Sequence, residues 1–103
     1  MRRGEVWWHA PRDAKRRPAL VLTRDETIGR VFDVIAMPTT GVIRGLPTEI
    51  GLDASDGMPR DCVLVPENTF SADKSLLTER ITTLGPEKLD QACRALVHIT
   101  SCG

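Results

Sequence analysis

Tyrosine is absent from this chain, and the remaining aromatic residues are Trp7, Trp8, Phe32 and Phe70. A core must therefore be built mainly from aliphatic side chains. No stretch approaches the roughly 20 consecutive apolar residues of a membrane span. The opening MRRGEVWWHAPRDAKRR carries charge without the apolar segment of a secretion signal. Cysteine is scarce and odd in number, at positions 62, 93 and 102, which argues against a disulfide framework. No Cys/His pair has the spacing of a zinc site. The expectation is a cytoplasmic chain with no metal, no other cofactor and no membrane association.

Net charge is lacking as well, with 14 Lys/Arg against 14 Asp/Glu in 103 residues. Its distribution is uneven. Residues 1–30 hold eight cations and four acids, a net of +4; residues 31–103 hold six and ten, a net of −4. A neutral chain of this length, read as one domain over 1–103, can thus present a local basic face to an anionic partner.

What is present is mostly strand signal. GEVWWHA (4–10), PALVLT (18–23), VFDVIAMP (31–38), LPTEIGL (46–52), DCVLVPE (61–67) and TERITTL (78–84) are short apolar or alternating runs separated by Gly, Pro and Asp. Leu46, Thr48, Ile50 and Leu52 fall on one face of the fourth run. ALVL and VLV are continuous apolar runs, as strands covered on both faces would be. The spacing predicts a mostly β, strongly bent antiparallel sheet or barrel. A terminal amphipathic helix is signalled by Pro86 at its first position, Glu87 in its first turn, and Leu89, Ala92, Cys93, Leu96 and Val97 at helical spacing. SADKSLL (71–77) reads as a shorter helix, with Ser71 as its N-cap.

The stretch KRRPALVL, residues 15–22, crowds three cations against a proline at the mouth of a strand. A strand that begins with proline starts at an edge or bend, and the residue before proline is held extended. Arg17 therefore projects from a constrained backbone, and Arg suits bidentate contact with phosphate. Arg12, Lys15 and Arg16 stand beside it as candidate contacts to flanking phosphates. MPTTG (37–41) places the Thr39 and Thr40 hydroxyls before a turn at another strand end. His9 is a candidate general base, because its pKa suits proton transfer near neutrality. His98 falls on the polar side of the terminal helix. Trp7 and Trp8 point to opposite sides of their strand, either to be buried or to stack on bases.

Taken in order, R-x-G-E-x-W near the start, R-P-A-L-V-L at 17–22, P-T-T at 38–40, L-P-T-E at 46–49 and E-N-T-F-S-A-D-K-S-L-L at 67–77 resemble the MazF/PemK toxins of toxin–antitoxin pairs. The resemblance runs along almost the whole chain. It implies a small SH3-like twisted barrel assembled as a homodimer. It also implies sequence-specific cleavage of single-stranded RNA without a metal, leaving a 2′,3′-cyclic phosphate and a 5′-hydroxyl, under the control of a MazE-like antitoxin. The arginine before proline in that family falls on Arg17 and its strand-end threonine on Thr39, the implied catalytic pair; Thr40 and Glu67 join Arg12, Lys15 and Arg16 as implied RNA contacts. The G-S-E-type segment that many members carry before the arginine is replaced here by HAPRDAKRR. Two other readings remain at this stage. One is a gyrase poison of the same fold, like CcdB, although residues 98–103 read HITSCG where that class carries Trp-Gly-Ile. The other is a non-catalytic RNA-binding barrel. The cleavage sequence, the physiological RNA, the general base, the antitoxin and the role of the cysteines are not legible.

Overall fold

The computed structural model of the chain describes residues 1–101; Cys102 lies outside them. Seven strands form one curled sheet: β1 (Glu5–His9), β2 (Arg17–Val21), β3 (Asp33–Thr40), β4 (Ile50–Leu52), β5 (Cys62–Leu64), β6 (Phe70–Asp73) and β7 (Leu77–Thr83). The main path runs β4-β5-β3-β2-β1-β7, and β6 joins β3 off that path. β3 is the pivot. Its first half, Asp33–Ala36, pairs with β6, its middle with β2, and its last residues, Thr39 and Thr40, with β5. One eight-residue strand serving three partners bends the sheet into a half-barrel.

Alternation along the strands explains the continuous apolar runs. In β2, Leu20 belongs to a core with Val6, Met37, Leu52 and Leu64, while Ala19 and Val21 belong to a second core with Val34, Ala36, Ala72 and Leu77. Neighbouring side chains of a strand point to opposite faces, so both faces of β2 are covered. Helix α2 (Pro86–Thr100) closes the first core with Ala92, and with the partly buried Leu89, Cys93 and Leu96. Val97, at the end of the expected stripe, is 48% exposed. A single turn, α1 (Asp25–Ile28), not anticipated from the sequence, plugs the second core with Ile28.

Three expectations change. Residues 71–77 are not a helix: Phe70–Asp73 is a strand, followed by one 3-10 turn at Lys74–Leu76. Ala72 is buried while Ser71 and Asp73 are exposed, the period of a strand, and β3 supplies an edge to pair with. Asp73 caps the turn by accepting from the Ser75 amide at 2.9 Å, the role expected of Ser71. The fourth run is strand only at Ile50–Leu52, and Leu46 is 44% exposed on the preceding loop. There the Glu49 carboxylate accepts from the amides of Arg44, Gly45 and Leu46, winding the loop around itself. The fifth run is likewise strand only at Cys62–Leu64, and Pro66–Asn68 forms a 3-10 turn. Gly57, at φ +87°, closes the 3-10 turn that begins at Ala54; a Cβ there would meet the Thr82 hydroxyl.

Candidate nucleic-acid interface

Two depressions flank the start of β2, and Arg17 and Lys15 line both. The larger, about 710 Å³, is walled by Trp8, Arg16, Thr39, Thr40, Arg60 and Cys62, among others. The smaller, about 210 Å³, is lined by His9, Pro38 and Phe70, among others. Arg17 thus stands on the ridge between them. It is exposed, and Pro18 behind it is half-buried on Trp8 of β1 in register. Among the described residues only Arg80 and Arg94 form ion pairs, with Glu5 and Asp90. The cations at the ridge have no carboxylate committed to them. Three of them in succession repel one another, and an arriving polyanion relieves that repulsion.

Arg16 is held by an aromatic ring. Its guanidinium carbon lies 4.1 Å from the centroid of the Trp8 ring, a cation–π contact on the wall of the larger groove. The neighbouring tryptophan, Trp7, on the opposite face of β1, is half-buried against the second core and donates its indole N–H to Glu5 at 3.1 Å. The two tryptophans therefore have different jobs: Trp7 packs, and Trp8 carries Arg16 on the groove wall.

The two threonines also divide. Thr39 is 3% exposed, and its hydroxyl donates to the Pro18 carbonyl at 2.9 Å. It borders the groove, but its one proton is spent on the backbone that carries Arg17. Thr40, a half-buried groove residue, accepts from the Val42 amide at 3.2 Å, which leaves its own proton free to donate outward. The resemblance pairs Thr39 with Arg17, and here that hydroxyl is engaged with the backbone of Pro18, next to Arg17. In this arrangement Thr39 orients Pro18, and Thr40 is the available donor.

Cys62 sits beside Thr39 at the groove floor. Burial, with the charges of Asp61 and Asp56, pushes its thiol pKa up, so it stays protonated at neutral pH. Glu67 does not line either depression; it accepts from the Thr48 hydroxyl at 2.5 Å on the turn after β5. Arg12 is exposed outside both depressions, where its charge acts on Asp73. Sequence reasoning missed Arg60, which joins Lys15, Arg16 and Arg17 along the larger groove. Its position just before a strand, like that of Arg17, was the available signal.

The profile of a family described as "PemK-like, MazF-like toxin of type II toxin-antitoxin system" matches residues 2–100. The chain belongs to this toxin family. It is 39% identical over 103 residues to a Mycobacterium tuberculosis protein named "Probable endoribonuclease MazF2", covering 99% of this chain and 100% of that one. The fold of this MazF-like chain superposes on the Mycobacterium tuberculosis toxin MazF-mt6 with a TM-score of 0.86 at 25% identity, over 96% of this chain and 98% of the other. A Deinococcus radiodurans MazE-MazF crystal structure gives the same TM-score of 0.86 at 25% identity, over 100% of this chain and 97% of the other.

Proposed function

We propose that this toxin is an endoribonuclease that cleaves single-stranded RNA in the cytoplasm by transesterification. The carrying observation is Arg17, an exposed guanidinium with no ion-pair partner among the described residues, held by Pro18 on the ridge between two depressions. A single strand laid across that ridge puts one phosphodiester on Arg17 and its neighbours in the grooves to either side.

In this reaction the RNA supplies its own nucleophile. The 2′-hydroxyl attacks the adjacent phosphorus, negative charge builds on the equatorial oxygens, and the 5′-oxygen leaves, giving a 2′,3′-cyclic phosphate. Preorganised donors at those oxygens are worth about 3 kcal/mol each in comparable sites. Arg17 supplies the charge. Thr40 supplies the neutral donor, and Thr39 fixes the Pro18 backbone from which Arg17 projects. Lys15, Arg16 and Arg60 bind flanking phosphates, Arg16 being held over the Trp8 ring on the groove wall.

Its partner is an antitoxin, as in the MazE-MazF assembly from Deinococcus radiodurans. An acidic antitoxin segment lying along the basic groove would mask it by charge mimicry. The toxin acts as a homodimer; Phe32, Ile35, Val42 and Ile43, all more than half exposed, are surplus apolar surface for such assemblies to cover. The test is end-group analysis of a long single-stranded RNA incubated with the protein in EDTA. Discrete fragments ending in cyclic phosphate support the reading. Binding without fragments would favour the non-catalytic barrel, and stalled gyrase over intact RNA would favour the gyrase poison.

A further inference from the structure

The reaction above leaves the proton of the attacking 2′-hydroxyl without an acceptor, and one imidazole stands beside the ridge. His9 closes β1, Arg17 opens β2, and the two are direct partners across the antiparallel pair. Partners of this kind project from the same face with Cα atoms about 4.5–5.5 Å apart. Both line the smaller cavity. The Phe70 ring lies 5.0 Å from the imidazole, centroid to centroid and tilted by 59°, and limits how the imidazole can turn. Among the described residues this ring contact is the partner of His9, and neither ring nitrogen is held by a side-chain hydrogen bond.

We propose that His9 is the general base of the reaction, taking the 2′-hydroxyl proton of the nucleotide whose phosphate rests on Arg17. This inference rests on the ribonuclease reading. Burial pushes the imidazole pKa below its ordinary 6.5, so the ring is neutral and able to accept a proton at pH 7. The charged groups facing it are Lys15 from the β1–β2 loop and Arg17 from β2, both of which favour the neutral ring. β3 and β6 bring the uncharged Pro38 and Phe70 to the cavity. β7 places Leu77 opposite His9, and its nearest charge, Glu79, stands opposite Trp8 instead. Asp73 of β6 is engaged with Ser75 and with the charge of Arg12.

In the step itself, the proton passes from the 2′-oxygen to an imidazole nitrogen while the O2′–P bond forms. The P–O5′ bond breaks, the 5′-oxygen takes a proton from water, and the imidazolium later returns its proton to solvent. No oxidant or further reactant is needed.

The test is the pH dependence of single-turnover cleavage, between about pH 5 and pH 8, for the wild-type protein, His9→Phe and His9→Ala. Phenylalanine keeps a ring against Phe70 and removes the proton acceptor. The expected result is a wild-type rate that rises with pH and levels below the ordinary histidine pKa. His9→Phe should lose at least about 100-fold at pH 7, a typical general-base contribution, and its rising limb should vanish. Added imidazole should restore part of the rate of His9→Ala. A His9→Phe rate within about threefold of wild type, or an unchanged rising limb in that variant, overturns the assignment. Should His9→Phe not fold, His9→Gln carries the same comparison. Wild-type protein that leaves RNA intact at every pH would instead sink the ribonuclease reading, and this inference with it.

Discussion

Replacing Thr39 by valine separates the positioning of Arg17 from direct contact with phosphate. Valine matches threonine in shape, so at a residue 3% exposed the substitution removes one hydroxyl and little packing. The lost bond to the Pro18 carbonyl is a neutral one at 2.9 Å. A neutral hydrogen bond contributes about 1 kcal/mol net, and the abandoned carbonyl adds desolvation cost, so the expected destabilisation is about 1–2 kcal/mol. For a domain of this length that lowers Tm by about 4–16 °C. Pro18 then shifts, and Arg17 with it, which should reduce kcat at least about tenfold with little change in KM, because small misplacements of a positioned group are costly. Thr39→Ser retains the donor and should recover most of both losses. Thermal unfolding and single-turnover cleavage of a labelled RNA read the two effects. The reasoning is refuted if Thr39→Val keeps wild-type Tm and rate, or if Thr39→Ser is as impaired as valine.

Two further predictions follow from the charges. Arg60→Ala should weaken RNA binding without abolishing cleavage at saturation, and the slope of log affinity against log salt should flatten by about 0.7, the value for one phosphate contact on a single strand; an unchanged slope would place Arg60 outside the RNA path. Glu5 is buried, which raises its pKa, yet hydrogen bonds from the Trp7 indole and the Arg2 amide, the amino-terminal charge and Arg80 together hold it below its ordinary 4.5. A carboxylate whose folded pKa is depressed contributes stability above its unfolded pKa and loses it as pH falls through the folded value. Tm should therefore drop as the pH goes below about 4.5, and Glu5→Gln should show a shallower drop; parallel acid limbs would contradict the assignment.

The fold was readable where local pattern and tertiary context agree. The ALVL run announced a strand covered on both faces, and Pro86 with the stripe that follows it announced α2. The pattern failed where a partner decided the outcome. Residues 70–73 carry helix-compatible residues and become a strand because the first half of β3 offers them an edge. Position matters as much at the site. Two adjacent threonines look equivalent in a sequence, yet the pleat sends Thr39 against Pro18 and leaves the hydroxyl of Thr40 free toward the groove. Glu67 resembled a groove residue until Thr48, remote in sequence, claimed its carboxylate. Arg60 escaped notice because only the pairing of both β2 and β5 with β3 brings it beside Lys15 and Arg16, which are far from it in sequence.

The central claim is that an unpaired guanidinium at position 17 stabilises the charge of RNA self-cleavage. It is tested most directly by Arg17→Ala, with fold checked by circular dichroism, RNA affinity by fluorescence anisotropy and bond cleavage by single-turnover kinetics in EDTA. Arg17 is exposed and makes no ion pair among the described residues, so the variant should fold as wild type does and bind RNA with a modest loss. Its cleavage rate should fall by about 100- to 1,000-fold, the cost of removing one preorganised donor from a developing oxyanion. A folded Arg17→Ala protein that cuts the same RNA at the wild-type rate would contradict the account.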